Sequence, residues 1–482
     1  MRLARVRGKR TNALSRNKKG QDIMNVWVCR QNEALEAEII DHFSRAGKWE
    51  KVVWCDNEMM RPKSQTSHES VELFSQHKCD PQKYPMSDDT GLQINQFMVF
   101  ANRNSVLGGS ELDSRSFDDC ANAFWMLYSY TKTRLIVEAI DLVFFNRAPH
   151  YEGDYVLYLA AKELGLSILI LQQSLIPNKF FYSFSMNGFN DIFSADPIFN
   201  SLELENAFQE GHHEKDLFYM SNVRSAGASV YRTIRERFRP EYHLLKRLLY
   251  GKERAFSVLR YKKQKEFKKN LKKMVEYDLD YDVPFVYFPL HLQPELTTSV
   301  FGGIFQDQLL AIEYLASALP LGWKIYVKEN PKQNYMARGG CFFQRLNKIE
   351  NVHLVPGNVS TYDLLRQCKI SATITGTVGW EAISGLKPVI VFGDFVWYSS
   401  FPGVVKFSRL LDLEEVCKIS IKPEDLNAAL SSLAQRLGDG VIYSGYENLV
   451  MDFDSIKNAQ DVCVSLEKLI SHYSLDASRS VT

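Results

Sequence analysis

What the chain lacks is the first guide to it. No run of about 18 uninterrupted apolar residues occurs, so nothing reads as a helical membrane span. The basic amino-terminal residues are followed by no apolar core segment, so they do not read as a secretory signal. The eight cysteines are scattered, with no C-x-x-C pair and no His/Cys cluster at zinc spacing. That pattern points to a reducing cytoplasm and away from a structural metal. Neither G-x-x-x-x-G-K nor G-x-G-x-x-G is present, so no common nucleotide fingerprint applies. A formal net charge of +1 gives no overall signal for nucleic acid, and there is no internal repeat.

What remains is a globular chain of 482 residues, 45% hydrophobic and 12% aromatic, long enough for two domains. Its charge is uneven. Residues 1–19 carry eight basic side chains and no acid, and residues 252–273 carry ten against Glu253 and Glu266. Both runs read either as solvated surface or as a peripheral contact with an anionic membrane. The pair His212 and His213 reads as a solvated loop.

Periodicity divides the chain further. Short β-rich runs at 25–30 and 51–56 flank a helical pattern, and a β-α-β opening predicts a parallel sheet with crossover helices. A helix, the strand DLVFFN, a loop, the helix YVLYLAAKELG and the strand LSILIL follow a polar stretch at 60–95. From about 200 to 280 the sequence is basic and poor in β-formers, a helical linker. Between 284 and 393 strand and helix alternate again, as in a doubly wound α/β domain, and Ser360 is placed to cap the helix TYDLLRQC. The expected organisation is a flexible tail at 1–24, a Rossmann-like domain at 25–200, the linker at 201–280 and a second Rossmann-like domain at 281–482.

In open α/β sheets ligands bind beyond the carboxyl ends of the strands. Three such ends in the second half are polar: HLQPE at 291–295, KENPKQ at 328–333 and TGTVGWE at 375–381. Gly376 and Gly379 allow close approach of backbone to a ligand, Thr375 and Thr377 add hydroxyls, and the following helix start suits a phosphate. Glu381 falls in the first helical turn, where a carboxylate is favoured and can accept from ribose hydroxyls. Lys328 and Glu329 put a cation and a carboxylate at a strand tip, Gln293 lies beside His291, and Glu295 is a further candidate catalytic carboxylate. Each tip alone also reads as an ordinary turn or surface ion pair, but three in one parallel sheet converge on one crevice. In the first half, FFNRAPHYEGDY gathers Arg147, His150, Glu152 and Asp154 between a strand and a helix. His150, Glu152 or Asp154 has the chemistry of a general base, and a polar surface loop with Asp154 capping the helix is the alternative.

The arrangement strand, KE-x-P, helix, strand, TGT-x-G-x-EA-x-x-x-G-KP, FG over about 284–400 resembles the capsule polysaccharide biosynthesis proteins, which include retaining Kdo transferases. The resemblance implies a GT-B fold, two Rossmann-like domains with parallel sheets facing a cleft. It also implies transfer of a sugar such as Kdo from a CMP-activated donor, held by the second domain, to a glycan or glycolipid acceptor. No cofactor beyond the nucleotide-sugar is implied, nor a metal or a nucleic-acid partner. Gln293-Pro294 matches the family's Gln-Pro element. Where the family commonly has His-Pro, this chain has Asn330-Pro331, an amide that donates a hydrogen bond but carries no charge. Two other readings stay open: another GT-B enzyme, such as a nucleotide-sugar epimerase or polyol-phosphate transferase, and a catalytically silent assembly factor.

Eight like charges without apolar partners do not repay the entropy of ordering them. Deletion of residues 1–19 is expected to leave the melting temperature nearly unchanged.

Overall fold

A computed structural model describes residues 23–29, 33–55, 93, 96–97, 117–186, 188–199, 254–335 and 338–476. The basic run at 1–19, the polar stretch at 60–92, and residues 201–253 with His212 and His213 lie outside them. The chain forms two compact units. Of the described residues, one takes those up to 192 and again those from 437 onward, and the other takes those from 193 to 436.

In the first unit β1 (Met24–Cys29), α1 (Glu33–Arg45) and β2 (Trp49–Cys55) make the expected β-α-β opening. Helix α2 (Phe117–Val137) leads to β3 (Leu142–Phe145), and α3 (Glu152–Glu163) leads to β4 (Ser167–Gln173). These four strands pair in parallel in the order β2-β1-β3-β4. β3 is buried along its whole length, as expected of a parallel strand covered on both faces. Strand β5 (Lys179–Ser183) then returns antiparallel to β4, a pairing that strand–helix alternation does not anticipate.

The second unit opens with α4 (Arg254–Met274), followed by β6 (Phe285–Pro289), α5 (Gln308–Ser317), β7 (Lys324–Lys328), α6 (Gly340–Leu346) and β8 (Val352–Leu354). Then come α7 (Thr361–Gln367), β9 (Ile370–Thr373), α8 (Val378–Ser384), β10 (Val389–Val391), β11 (Val404–Lys406), α9 (Leu413–Cys417) and α10 (Pro423–Ala434). All its strand pairs are parallel, in the order β8-β7-β6-β9-β10-β11. Numbered by appearance within the unit, that is the 3-2-1-4-5-6 order of a doubly wound dinucleotide-type sheet. The core interleaves Val286, Phe288, Ile325, Val327, Ile370 and Ile390 with Ile312 and Leu315 of α5. Asp307 caps α5 by accepting from Leu309 N, and Ser360 caps α7 through Asp363 N as the spacing predicts. Helix α4 turns Phe267, Leu271 and Met274 inward, with Phe267 against Phe343 of α6. Its Lys262, Lys263, Lys265, Lys268, Lys269, Lys272 and Lys273 are all exposed.

After α10 the chain re-enters the first unit as β12 (Gly438–Asp439) and α11 (Ser455–Asp476), where alternation alone assigns residues 437–482 to the second domain. Several contacts hold the return. β12 pairs antiparallel with β5. The buried Lys179 ammonium meets Asp439 Oδ1 at 2.6 Å. Glu467 of α11 accepts from Lys48 at 2.8 Å and pairs with His42 of α1 at 3.2 Å. Asn458 adds a strand-like pair, donating to Val441 O (2.9 Å) and accepting from Val441 N (2.6 Å). Val462, Leu466 and Leu469 on the inner face of α11 are fully buried.

Leu466→Ala is therefore expected to destabilise the first unit by about 2–5 kcal/mol. Hydrogen exchange should accelerate in β3–β5 and stay unchanged in β6–β9.

Candidate functional site

In a sheet of order 3-2-1-4-5-6 the crevice opens where the winding reverses, here between β6 and β9. The loop leaving β6 carries His291, and its ring meets the end of β9. His291 Nε2 lies 2.8 Å from Thr373 Oγ1, and Ile374 N–H donates to the same nitrogen at 3.1 Å. Nε2 is therefore the acceptor, and the imidazole carries its proton on Nδ1. Burial, reinforced by the nearby Arg338 charge, lowers the His291 pKa to about 4, so the ring is neutral at physiological pH.

Thr373 Oγ1 in turn accepts from Gly376 N at 3.1 Å, and Tyr398 OH donates to Gly376 O at 2.5 Å. The turn is clamped from beneath. A Cβ on Gly376 would meet His291 Cε1 at 2.5 Å, and one on Gly379 would collide with the Tyr398 hydroxyl. The sequence left both glycines open between ligand approach and a tight turn, and packing against this floor requires them in either case. Thr375 Oγ1 donates to Thr297 O at 2.8 Å, tying the turn to the π-helical turn Leu296–Val300. Thr377 is the N-cap residue of α8 and makes no side-chain cap bond. Glu381 is half-buried in the first turn of α8. Burial, with a smaller contribution from the Glu381 charge, drives the ionisation of Tyr287 and Tyr398 upward. Trp380 and Trp397, both partly exposed, pack at 4.9 Å with Phe401 behind them.

The other two strand tips meet around one buried guanidinium. Arg338, 2% exposed, donates to Glu329 Oε2 (3.2 Å), Gln293 Oε1 (2.6 Å) and His291 O (2.9 Å). Gln308 donates to Gln293 Oε1 at 2.8 Å and accepts from His291 N at 2.7 Å. Gln333 brackets the Gln293 backbone, accepting from its N (2.9 Å) and donating to its O (3.0 Å). Gln293 and Glu329 thus hold the loops together. Burial pushes the Glu329 pKa up, opposed by Arg338. Asn330 donates its N–H to Glu329 Oε1 at 2.8 Å, and its Oδ1 accepts from Lys332 N at 3.0 Å. Lys328 Nζ spans from the tip of β7 to Val359 O (2.7 Å) and Thr361 Oγ1 (3.1 Å). The Glu295 carbonyl accepts from Ser299 N at 2.7 Å, and its side chain is half-buried.

In the first unit the loop after β3 is partly internal. Asn146, 2% exposed, donates to Glu36 Oε1 of α1 at 3.1 Å, and the Arg147 guanidinium sits 5.1 Å from the Tyr151 ring. Asp154 is buried and accepts from His150 N at 3.4 Å, reaching back from the third residue of α3 in the manner of a capping box. His150 and Glu152 are half-buried. These groups belong to one unit, and the Gln293–Glu381 set to the other.

Arg338, Gln308, Gln333 and Tyr398 join the site without having been singled out from the sequence. Gln308 reads there as the first turn of an amphipathic helix, and Arg338 lies in NYMARGG, which has neither helical nor strand periodicity. Gln333 ends the polar tip KENPKQ, while Gln308 and Tyr398 lie outside all three tips.

Residues 209–434 match the profile of the family described as capsule polysaccharide biosynthesis protein. No curated protein matches the chain. Among solved structures it is similar to the β-Kdo 2,7 transferase of Thermosulfurimonas dismutans KpsC, at 12% identity over 92% of this chain and 99% of that one, TM-score 0.33. The β-Kdo 2,4 transferase of the same KpsC is 13% identical over 62% of this chain and 80% of that one, TM-score 0.28. The S. aureus MnaA–UDP structure is 11% identical over 91% and 98%, TM-score 0.24. The strand orders above, not these superpositions, define the fold.

Arg338→Met should destabilise the second unit by about 3–5 kcal/mol, because it strands the Glu329 charge. Loss of Arg338 pushes the Glu329 pKa further up. The penalty is therefore smallest below the ordinary carboxylate pKa and grows as pH rises, until the folded carboxylate ionises. Urea unfolding at pH 5 and pH 8 measures this, and adding Glu329→Gln should recover much of the loss. His291 contributes the opposite limb: its lowered pKa makes stability fall as pH drops from about 6.5 toward 4, as the unfolded chain takes up a proton first. His291→Gln should remove that component from the acid branch of the melting curve.

Proposed function

We propose, from the match of residues 209–434 to the capsule polysaccharide biosynthesis protein profile, that the chain is a glycosyltransferase of bacterial surface polysaccharide assembly. The donor is a nucleotide-activated sugar, a CMP-sugar such as CMP-Kdo in the first instance, and the acceptor a glycan or glycolipid. The observation that carries the reading is the junction of the β6, β7 and β9 loops at the winding reversal of the second unit. A crevice built there, with its turn backbone fixed in advance, is what a phosphate-bearing donor requires.

The roles follow from the chemistry. Glycosyl transfer needs charge to stabilise the departing phosphate and a group to take the acceptor proton. The Thr375–Gly379 turn and Lys328 serve the first need, with Asn330 donating where the family has an imidazole. Glu381 accepts from the ribose hydroxyls, and Glu295 borders the same loop. Gln293 and Glu329 act on the donor through the loops they fix. On the acceptor side His150, Glu152 and Asp154 at the start of α3 have the chemistry to accept the proton. On this reading the protein works in the cytoplasm.

Asn330 also favours a second reading, a factor that binds a nucleotide-linked glycan precursor without turning it over. One set of titrations separates the two. Calorimetry with CMP and UDP should detect binding to the parent chain. Glu381→Gln should weaken it about tenfold through loss of a charge-assisted hydrogen bond, with the melting temperature unchanged. Asn330→His should strengthen binding, by restoring a group that can carry positive charge. Release of CMP from CMP-Kdo in the presence of a capsule-type acceptor favours the transferase; nucleotide binding without turnover favours the second reading. If neither the parent nor Asn330→His binds any nucleotide, both readings fail.

A further inference from the structure

Helix α4 presents a surface that the proposed reaction does not use. Its inner side is fixed to the unit by Phe267, Leu271 and Met274, and Gln264 Oε1 accepts from Tyr335 N at 3.2 Å. Its outer side between Lys262 and Lys273 exposes lysines with a single carboxylate, Glu266, among them. Among the described residues none of these lysines has an ion-pair partner. Ordinary solvated helices interleave signs so that residues four apart attract. Here Lys265 and Lys269, Lys268 and Lys272, and Lys269 and Lys273 stand four apart and repel. The stripe works against its own helix, and a bound polyanion relieves the repulsion.

We infer that this face docks on an anionic lipid bilayer. The charges lie along one face of a helix over about 17 Å, eleven residues at 1.5 Å each. No exposed aromatic ring interrupts the lysines to stack bases, as single-stranded nucleic acid would require. Tyr277, four residues beyond Lys273, is 69% exposed, and tyrosine favours the headgroup layer. A planar, negatively charged surface satisfies such an array, each lysine contributing through the surface potential. Among the described residues no helix is long and apolar enough to cross a membrane, so the contact is peripheral. Because Gln264 touches the loop that follows β7, docking brings the candidate donor site to the membrane surface, within reach of a lipid-linked acceptor. The inference rests on charge and geometry and does not depend on the identity of the donor.

The test is co-sedimentation of the full chain with vesicles of phosphatidylcholine alone and with 30% phosphatidylglycerol (about that fraction suffices to give the surface its potential). Binding is expected only to the anionic vesicles and should be lost at high salt, as screening shortens the range of the charges. The variant Lys262→Gln, Lys265→Gln, Lys269→Gln, Lys272→Gln should keep the parent melting temperature and lose roughly 600-fold in partitioning, at about fivefold per lysine. A variant that sediments as the parent does would show that another segment binds the lipid, and would overturn the assignment. So would absence of binding to anionic vesicles, or retention on a soluble polyanion such as heparin with none on vesicles.

Discussion

A charged guanidinium with almost no access to water is the constraint on which the second unit depends. Arg338 cannot release its proton and cannot be left unsolvated, so every donor it presents must find an acceptor of the protein. It finds them on two different loops, Glu329 after β7 and the Gln293 side chain and His291 carbonyl after β6. Those loops are then no longer independent. Displacing either uncovers a charge, and the cost of that holds the polar tips of the sheet in one arrangement. A fully satisfied network of this kind gives specificity of structure more readily than it gives stability.

From there the order passes upward through a neutral imidazole. His291 is positioned by the Gln308 and Arg338 contacts to its backbone, and its ring accepts from the first residue beyond β9. Thr373 and Tyr398 then fix the donor and acceptor of Gly376. A site assembled this way has its backbone dipoles aimed before any ligand arrives, which is the condition under which they act most strongly on a developing charge. Protonation of His291 would remove the acceptor at its centre, and its depressed pKa guards against that.

Much of this was legible in the sequence, and the reasons are specific. The strands of the second unit are apolar along their length and bounded by Pro and Gly, so period and punctuation agree with the 3-2-1-4-5-6 sheet. The polar tips at Gln293, Lys328 and Thr375 were visible because charged and hydroxyl residues end apolar runs. What the tips do was harder to see. Which carboxylate faces a ligand and which faces an internal arginine depends on Arg338, nine residues beyond Glu329 in a segment without periodicity. The glycines of the turn were visible as glycines, but the rings beneath them come from residues 291 and 398, far apart in sequence. Likewise β5 and β12 escaped notice because antiparallel returns at a sheet edge follow no strand–helix alternation. A two-residue strand such as Gly438–Asp439 has no pattern at all.

The discontinuity of the first unit bears on how the chain comes to fold. Five of its strands are synthesised early, yet β12 and the buried face of α11 are among the last described residues to appear. In the meantime β5 offers an unpaired edge, and the Lys179 ammonium awaits Asp439, 260 residues downstream. The second unit is contiguous in sequence from α4 to α10 and can close as soon as it is made. Vectorial synthesis therefore favours completion of the later unit before the earlier one, the reverse of the usual amino-to-carboxyl order. During that interval the exposed strand edge is the part of the chain most open to capture by another chain.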